Sequence, residues 1–316
     1  STWSGTTTVD VQTDCHQITV WYDGWTPGLA SSSIHILTAD AGADDLWYNR
    51  LDTSGDTLLL GSTPVNTTAS QGGSLTEGEN YISITRATNG VIYIVSNDGT
   101  TGPDSYVMEC TVTCGTGTNW SETGTNLLDP ASDQNILLPL MGDDLLLINR
   151  DISADDIRAR TWDDSAATWT PWTTIDLSAA ESTTYDVGMA AALSTTTGKV
   201  YLAYLANYDT AGTNDEVRTA VYGDGSWTTR TAVSTSTVLG LTNVALELDY
   251  ATDDVYVAYS ARATAGTART ANILWKRSQD DMATWGYEQG PINTGPDDIY
   301  GVDLALLSNE RIYGTW

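Results

Sequence analysis

The sequence predicts an all-β protein, a single six-bladed β-propeller of four-stranded antiparallel blades spanning residues 1–316. Three observations predict it. A short apolar strand opened by a polar turn recurs at Ile18, Val91, Leu145, Val200, Val255 and Ile312, with spacings of 73, 54, 55, 55 and 57 residues, and a repeat of 50-odd residues built of strand and turn signals marks a propeller blade. The same four-strand order is legible within the repeat. The two ends of the chain carry matching fragments of one further repeat.

The clearest blade runs from Tyr185 to Ser234. "DVGMAAALS" is a small-residue strand, "VYLAYLANY" a nearly continuous apolar strand, "EVRTAVY" an alternating strand and "SWTTRTAVS" a polar outer strand. Small residues suit the crowded innermost strand, and a second strand covered on both faces loses its polar alternation. Thr supplies β propensity to the outer strand without apolar exposure. Strand three recurs as "DLWYNRLD", "SYVMECTV", "DIRARTWD", "EVRTAVYG" and "NILWKRSQ". Blades are accordingly expected at about 9–64, 80–128, 135–178, 185–234, 242–292 and 299–316 joined with 1–8. "STWSGTTTV" reads as an outer strand, so Trp3 is expected beside the strand that ends at Trp316. That last blade lacks a third strand, which a partner can donate by β-addition. The 73-residue interval is assigned to a long loop, "GWTPGLASSSIHILTADAGADD", carrying Trp25 and His35.

Composition narrows the setting. Thirteen Lys and Arg against 41 Asp and Glu give a formal charge of −28, and Lys199 and Lys276 are the only lysines. Such a surface repels nucleic acid. Its self-repulsion is screened at high salt, so the expected setting is extracellular, at a cell surface or on a virion exterior, in a saline medium. No basic and apolar leader opens the sequence and no apolar run approaches a membrane helix, so no membrane insertion is expected. Cys15, Cys110 and Cys114 have no metal-ligand spacing. Cys110 and Cys114 can pair only if a turn separates them, and buried free thiols are the expectation.

Residues 278–285 read "SQDDMATW", matching the pattern S-x-D-x-G-x-T-W at Ser278, Asp280, Thr284 and Trp285, with Met282 in the glycine position. Weaker copies are "WDDSAATW" (Asp164, Thr168, Trp169) and "GDGSW" (Asp224, Trp227). On these residues the chain resembles the sialidase-like, Asp-box (BNR-repeat) six-bladed propellers. The resemblance implies a structural box, its Asp accepting turn amides and its Trp packing between strands. Catalytic sialidases also carry an Arg triad and a Phe-Arg-Ile-Pro motif. This chain has no Phe and no such segment, so the resemblance points to a non-catalytic member.

In a propeller, the loops joining strands two and three and those joining blades share one face. That face is expected to collect Tyr81, Asn135, Tyr185, Asp186, Asn243, Asp298 and Tyr300, with Arg150 and Arg262 at the ends of second strands and Trp25 on the long loop. Asp98, Asp104, Asp151, Asp155, Asp209 and Asp215 join from the second-to-third loops. Aromatic faces and carboxylates suit sugar rings and hydroxyls. They also suit calcium, with Asp151 and Asp155 the candidate ligands, and no other cofactor is expected. Asx residues also make turns, which is the competing reading. Paired carboxylates do not identify an acid/base pair without a known separation. The expected function is non-catalytic binding of a glycan or protein partner on the loop face. The alternatives are a subunit of an exterior assembly completed by strand donation, and a glycoside hydrolase or lyase.

Overall fold

The computed structural model describes residues 15–40, 45–65, 82–97, 105–123, 134–151, 154, 156–177, 188–206, 215–236, 241–262, 271–292, 302–306 and 312–315. The chain is an all-β propeller. Blade 1 orders β1 (Cys15–Tyr22), β2 (Ser33–Asp40), β3 (Asp45–Asp52) and β4 (Thr57–Leu59), and blade 2 orders β5 (Ser83–Arg86), β6 (Ile92–Asn97), β7 (Ser105–Cys110) and β8 (Ser121–Glu122). Blade 3 orders β9 (Gln134–Pro139), β10 (Leu145–Asp151) and β11 (Asp156–Asp163), with its outer strand split into β12 (Thr168–Trp169) and β13 (Thr173–Asp176). Blade 4 repeats that plan with β14 (Met189–Leu193), β15 (Val200–Ala206), β16 (Asp215–Gly223), β17 (Ser226–Thr229) and β18 (Ser234–Ser236). Blade 5 has β19 (Leu241–Asp249), β20 (Asp254–Arg262) and β21 (Ala271–Ser278), and β22 (Asp303–Leu306) pairs β23 (Ile312–Thr315) in a two-stranded sheet.

Among the described residues, five sheets of three strands or more therefore stand where six four-stranded blades were expected. The fourth segment of blade 5 follows β21 only through separate bonds, among them the reciprocal pair between Trp275 and Gln289. The segment runs through cis Gly290–Pro291, and proline has no N–H to continue a ladder. The expected closure of the last sheet by residues 1–8 lies outside the described residues, as do Trp3 and Trp316.

Burial follows the expected order of strands. All seven residues of β10 and of β15 are buried, whereas β17 is mostly exposed. The core lies between the faces of neighbouring blades. Tyr93, Val95, Leu145, Leu147 and Trp162 join blades 2 and 3, and Tyr201, Val221, Val257 and Met282 join blades 4 and 5. Each such side chain contributes about 1.5–3 kcal/mol of burial.

The first interval needed a change of phase. Ile18 lies in β1, the innermost strand, whereas its supposed equivalents at the other blades open second strands. The second strand of blade 1 is "SIHILTAD", inside the segment expected to be a loop, and it pairs β1 on one side and β3 on the other. "ITVWY" misleads because it is as apolar as a second strand, although Ile18 and Val20 are exposed at 57 % and 44 % on the channel wall. His35 is thus a buried strand residue.

The expected set of free thiols is also revised. Cys110 and Cys114 form a disulfide with Cα atoms 5.7 Å apart, because β7 ends at Cys110 and the chain turns at once, Thr113 taking φ 54°. Cys15 is exposed and stands outside this disulfide, its thiol 3.5 Å from Gln17 O.

Candidate functional site

The six innermost strands β1, β5, β9, β14, β19 and β22 frame a central cavity of about 990 Å³. Its wall is mostly aliphatic, since alternate residues of each inner strand point to the axis. Charged and aromatic groups on this wall fall in two regions. In the first, Trp21 of β1 meets Trp25 edge to face at 5.5 Å, and the Trp21 indole donates to Thr26 Oγ1 at 2.9 Å. Trp25 sits in a short 3-10 turn, Asp23–Trp25, and is half-buried. In the second, Glu247 of β19, Tyr250 and Asp303 of β22 line the same cavity. Burial and the neighbouring Asp303 charge push the Glu247 carboxyl up to about 7, against a Leu248 backbone N–H that favours ionisation. A carboxyl that titrates near neutrality can accept from a sugar hydroxyl when ionised and donate when protonated.

Of the loop-face residues named from sequence, only part falls within the described set. Asn135 is buried on the cavity wall, where its Oδ1 accepts from Asn149 Nδ2 at 2.9 Å. Asn243 is buried and donates its backbone N–H to Ser260 Oγ at 3.1 Å. Arg150 is fully buried against the neighbouring blade, close to Gly188 and Gln134. It is absent from the cavity wall. Asp151 is buried, accepting from the Ala154 N–H at 2.9 Å and pairing Arg158 at 3.2 Å. Tyr81, Asp98, Asp104, Asp155, Tyr185, Asp186, Asp209, Asp298 and Tyr300 lie outside the described residues, as do the side chains of Asp215 and Arg262. Trp25 and Asn135 both line the central cavity, although Trp25 lies in the turn joining β1 to β2, at the end of the blade opposite the second-to-third loops where it was expected. Glu247, Tyr250 and Asp303 were missed because nothing in "ELDY" or "VDLAL" distinguishes an axial carboxylate from a surface one.

Around "SQDDMATW" the hydrogen bonds are those of a closed turn. Asp280 accepts from the Thr284 N–H (2.9 Å), the Thr284 hydroxyl (2.6 Å) and the Ser278 hydroxyl (2.8 Å). Met282 takes φ 60° in the glycine position and is fully buried, and the Trp285 indole donates to Thr231 O of blade 4 at 2.9 Å. In the second copy the turn carboxylate is Asp163, which accepts from Ser165 and Ala166, and Trp169 reaches Thr123 O of blade 2 at 3.3 Å. Asp164 serves another purpose: Tyr93 of blade 2 donates to it at 3.3 Å, as Tyr201 of blade 4 donates to Asp281 of blade 5 at 2.7 Å. The adjacent Asp pair therefore divides its work, one carboxylate closing its own turn and the next latching the preceding blade. At Asp224 the chain makes a two-residue Asp-Gly turn with φ 52° and 75°, a hairpin turn in its own right, and Trp227 packs on Tyr222 at 5.3 Å.

No protein-family model matches the chain, and no curated protein sequence matches it. Solved structures do. A polysaccharide lyase, the ulvan lyase of family PL25 bound to -[GlcA(1-4)Rha3S]-, superposes with a TM-score of 0.63 at 13 % identity, over 89 % of this chain and 73 % of that one. A mutant of the Aleuria aurantia lectin in complex with alpha-methyl-L-fucoside gives a TM-score of 0.54 at 11 % identity, over 94 % and 90 %. The Penicillium chrysogenum alpha-L-arabinanase complexed with arabinobiose gives 0.51 at 15 % identity, over 74 % of each chain. At such identities the likeness establishes the β-propeller fold.

Proposed function

We propose that the protein is a saccharide-binding propeller that takes a neutral glycan in its central cavity. One observation carries the reading: a cavity of about 990 Å³ whose wall sets Trp21 and Trp25 against Glu247, Tyr250 and Asp303. An indole offers a flat apolar face to a sugar ring, and carboxylates accept from its hydroxyls. Two carboxyls on that wall and a formal charge of −28 oppose an anionic sugar there. The likeness to a lectin and to carbohydrate-active enzymes supports the reading at the level of fold. An exterior, saline setting, a sixth blade closed by residues 1–8 and kinship with Asp-box propellers belong to the same proposal, supported by the acidic composition, the two-stranded sheet β22–β23 and the turn at Asp280.

The test is a glycan array read with and without calcium, followed by calorimetry on the best ligand and a product assay on that ligand. Binding of a neutral saccharide that weakens about tenfold or more in Trp25→Ala, with no product formed, is the expected result. Release of product makes the protein an enzyme. Absence of any saccharide ligand, or binding indifferent to both Trp25→Ala and Glu247→Gln, overturns the reading.

A further inference from the structure

A second cavity, of about 440 Å³, lies between blades 1 and 2. It stands where the repeat breaks. In blades 2 and 4 the residue after the closing pair of the inner hairpin is a tyrosine, Tyr93 or Tyr201, and its hydroxyl latches to an aspartate of the next blade. In blade 1 the same step of β2 is His35, which follows Ile34 and faces Trp21. The opposing turn of blade 2, Thr111 to Thr116, has no carboxylate to receive a latch. Blade 2 departs in parallel: the inner-strand partner of the first residue of the second strand is Arg86 there, against Pro139 and Leu193 in blades 3 and 4.

These departures converge. His35 and Arg50 are directly opposed on β2 and β3, and Tyr48 lies two residues from Arg50, so all three side chains share the face turned to blade 2. His35 Nε2 pairs Asp23 Oδ1 at 2.8 Å and its Nδ1 meets the Tyr48 hydroxyl at 2.7 Å. Asp23, fully buried, also takes Arg86 Nη1 at 2.7 Å and the Ser33 N–H at 3.3 Å. Asp23 therefore balances Arg86. Asp52, next along β3 on the same face, accepts from the Ser54 N–H and hydroxyl at 2.9 and 2.6 Å. Arg50 keeps a buried Nε with no hydrogen-bond partner among the described residues. Arg50, Arg86, His35 and Tyr48 all line the cavity, and none of its lining residues among those described is Asp or Glu. In a chain with 13 Lys and Arg against 41 Asp and Glu, such a wall is a cationic exception.

We propose that the cavity between blades 1 and 2 binds a small oxyanion, a carboxylate or sulfate group, held by the Arg50 guanidinium beside Arg86 and His35. A planar guanidinium presents paired donors matched to two oxygens of either group. The Asp23–His35–Tyr48 chain fixes the imidazole and phenol that border it. The site is separate from the central cavity, since it uses Arg50 and the Thr111–Thr116 turn, neither of which lines the channel.

The chain has only two histidines, His16 and His35, so ring ¹H–¹⁵N spectra report on the site, with Arg50 calorimetry beside them. Sodium sulfate, sodium glucuronate and neutral glucose are titrated at constant ionic strength, His35 being assigned through His35→Gln. The expected result is a saturable shift of the His35 ring with an anion, not with glucose, and binding about tenfold or more weaker in Arg50→Met. The stronger of the two anions tells a tetrahedral from a carboxylate ligand. Arg50→Lys, which keeps charge and loses the fork, weakens binding less and serves if Arg50→Met does not fold. No saturable shift with either anion, an equal response to glucose, or unchanged affinity in both Arg50 variants overturns the proposal. Neutral-glycan binding in the central cavity is expected to persist in Arg50→Met, so the two sites fail independently.

Discussion

Replacing Gly188 by alanine tests how closely blades 3 and 4 are fitted. Gly188 precedes β14, and its φ is not in the left-handed region, so an alanine there meets no backbone penalty. On that ground alone Gly→Ala stabilises by about 0.4–1 kcal/mol, by narrowing the unfolded ensemble. The neighbouring blade reverses the sign. A Cβ at residue 188 falls 1.3 Å from Arg150 Nη1, 2.6 Å from its Cζ and 3.0 Å from Gln134 Oε1. The end of an arginine ordinarily swings aside, but Arg150 is fully buried and has nowhere to swing. Overpacking costs about 1–3 kcal/mol, and moving a buried guanidinium off the interactions it makes costs about 1.5–3 kcal/mol more. Together they give a loss of about 3–5 kcal/mol, or a fall in Tm of about 6–10 °C at roughly 2 °C per kcal/mol for a large domain. Calorimetric melts of Gly188→Ala, Arg150→Met and the double variant read the effect. In the Arg150→Met background the alanine should cost less than about 1 kcal/mol, a coupling that only direct contact produces. A single variant melting within about 2 °C of the parent, or an alanine penalty equal in both backgrounds, refutes the reasoning.

Glu247→Gln should raise stability with a definite pH dependence. A carboxyl whose folded value stands at about 7 rather than 4.5 destabilises the fold when ionised, so the gain over the parent is absent below about pH 4.5, grows to pH 7 and reaches up to about 3 kcal/mol above it. Urea melts at pH 4, 6 and 8 measure this, and a pH-independent difference would count against it. Asp23→Asn runs the other way. Burial alone raises the Asp23 carboxyl, but hydrogen bonds from His35, Ser31 and Arg86 and the nearby His35 hold it well below the usual range. That stability is present above the unfolded value of 3.8 and is lost as pH falls below it. The variant should cost about 3 kcal/mol or more at pH 7, with the gap to the parent closing toward pH 2 in acid-unfolding curves. Met282→Gly restores the motif residue and relieves φ 60°, worth about 1 kcal/mol, but it empties a fully buried position at about 2–4 kcal/mol. Thermal melts should show net destabilisation, and a gain would show that backbone conformation dominates there.

What the sequence determined by itself was local and repetitive. The alternating "DIRARTWD" and the continuous "VYLAYLA" were legible as strands three and two because side-chain period and burial are set within each strand, and four-strand order follows from repeating them. Phase was not legible. "ITVWY" at β1 and "SIHILTAD" at β2 are both apolar, and only pairing on two sides distinguishes them. The Asp163–Asp164 pair likewise reads as one motif residue until Tyr93, more than 50 residues away, is seen to hold the second carboxylate. The tertiary structure decided which polar groups meet. Asp23, His35, Tyr48 and Arg86 come from strands and turns up to 63 residues apart, and Glu247 faces Asp303 only because β19 and β22 stand side by side on one axis. A radial fold brings each blade's face against the next, so contacts between blades, and both cavities they enclose, are set by how successive blades pack against one another.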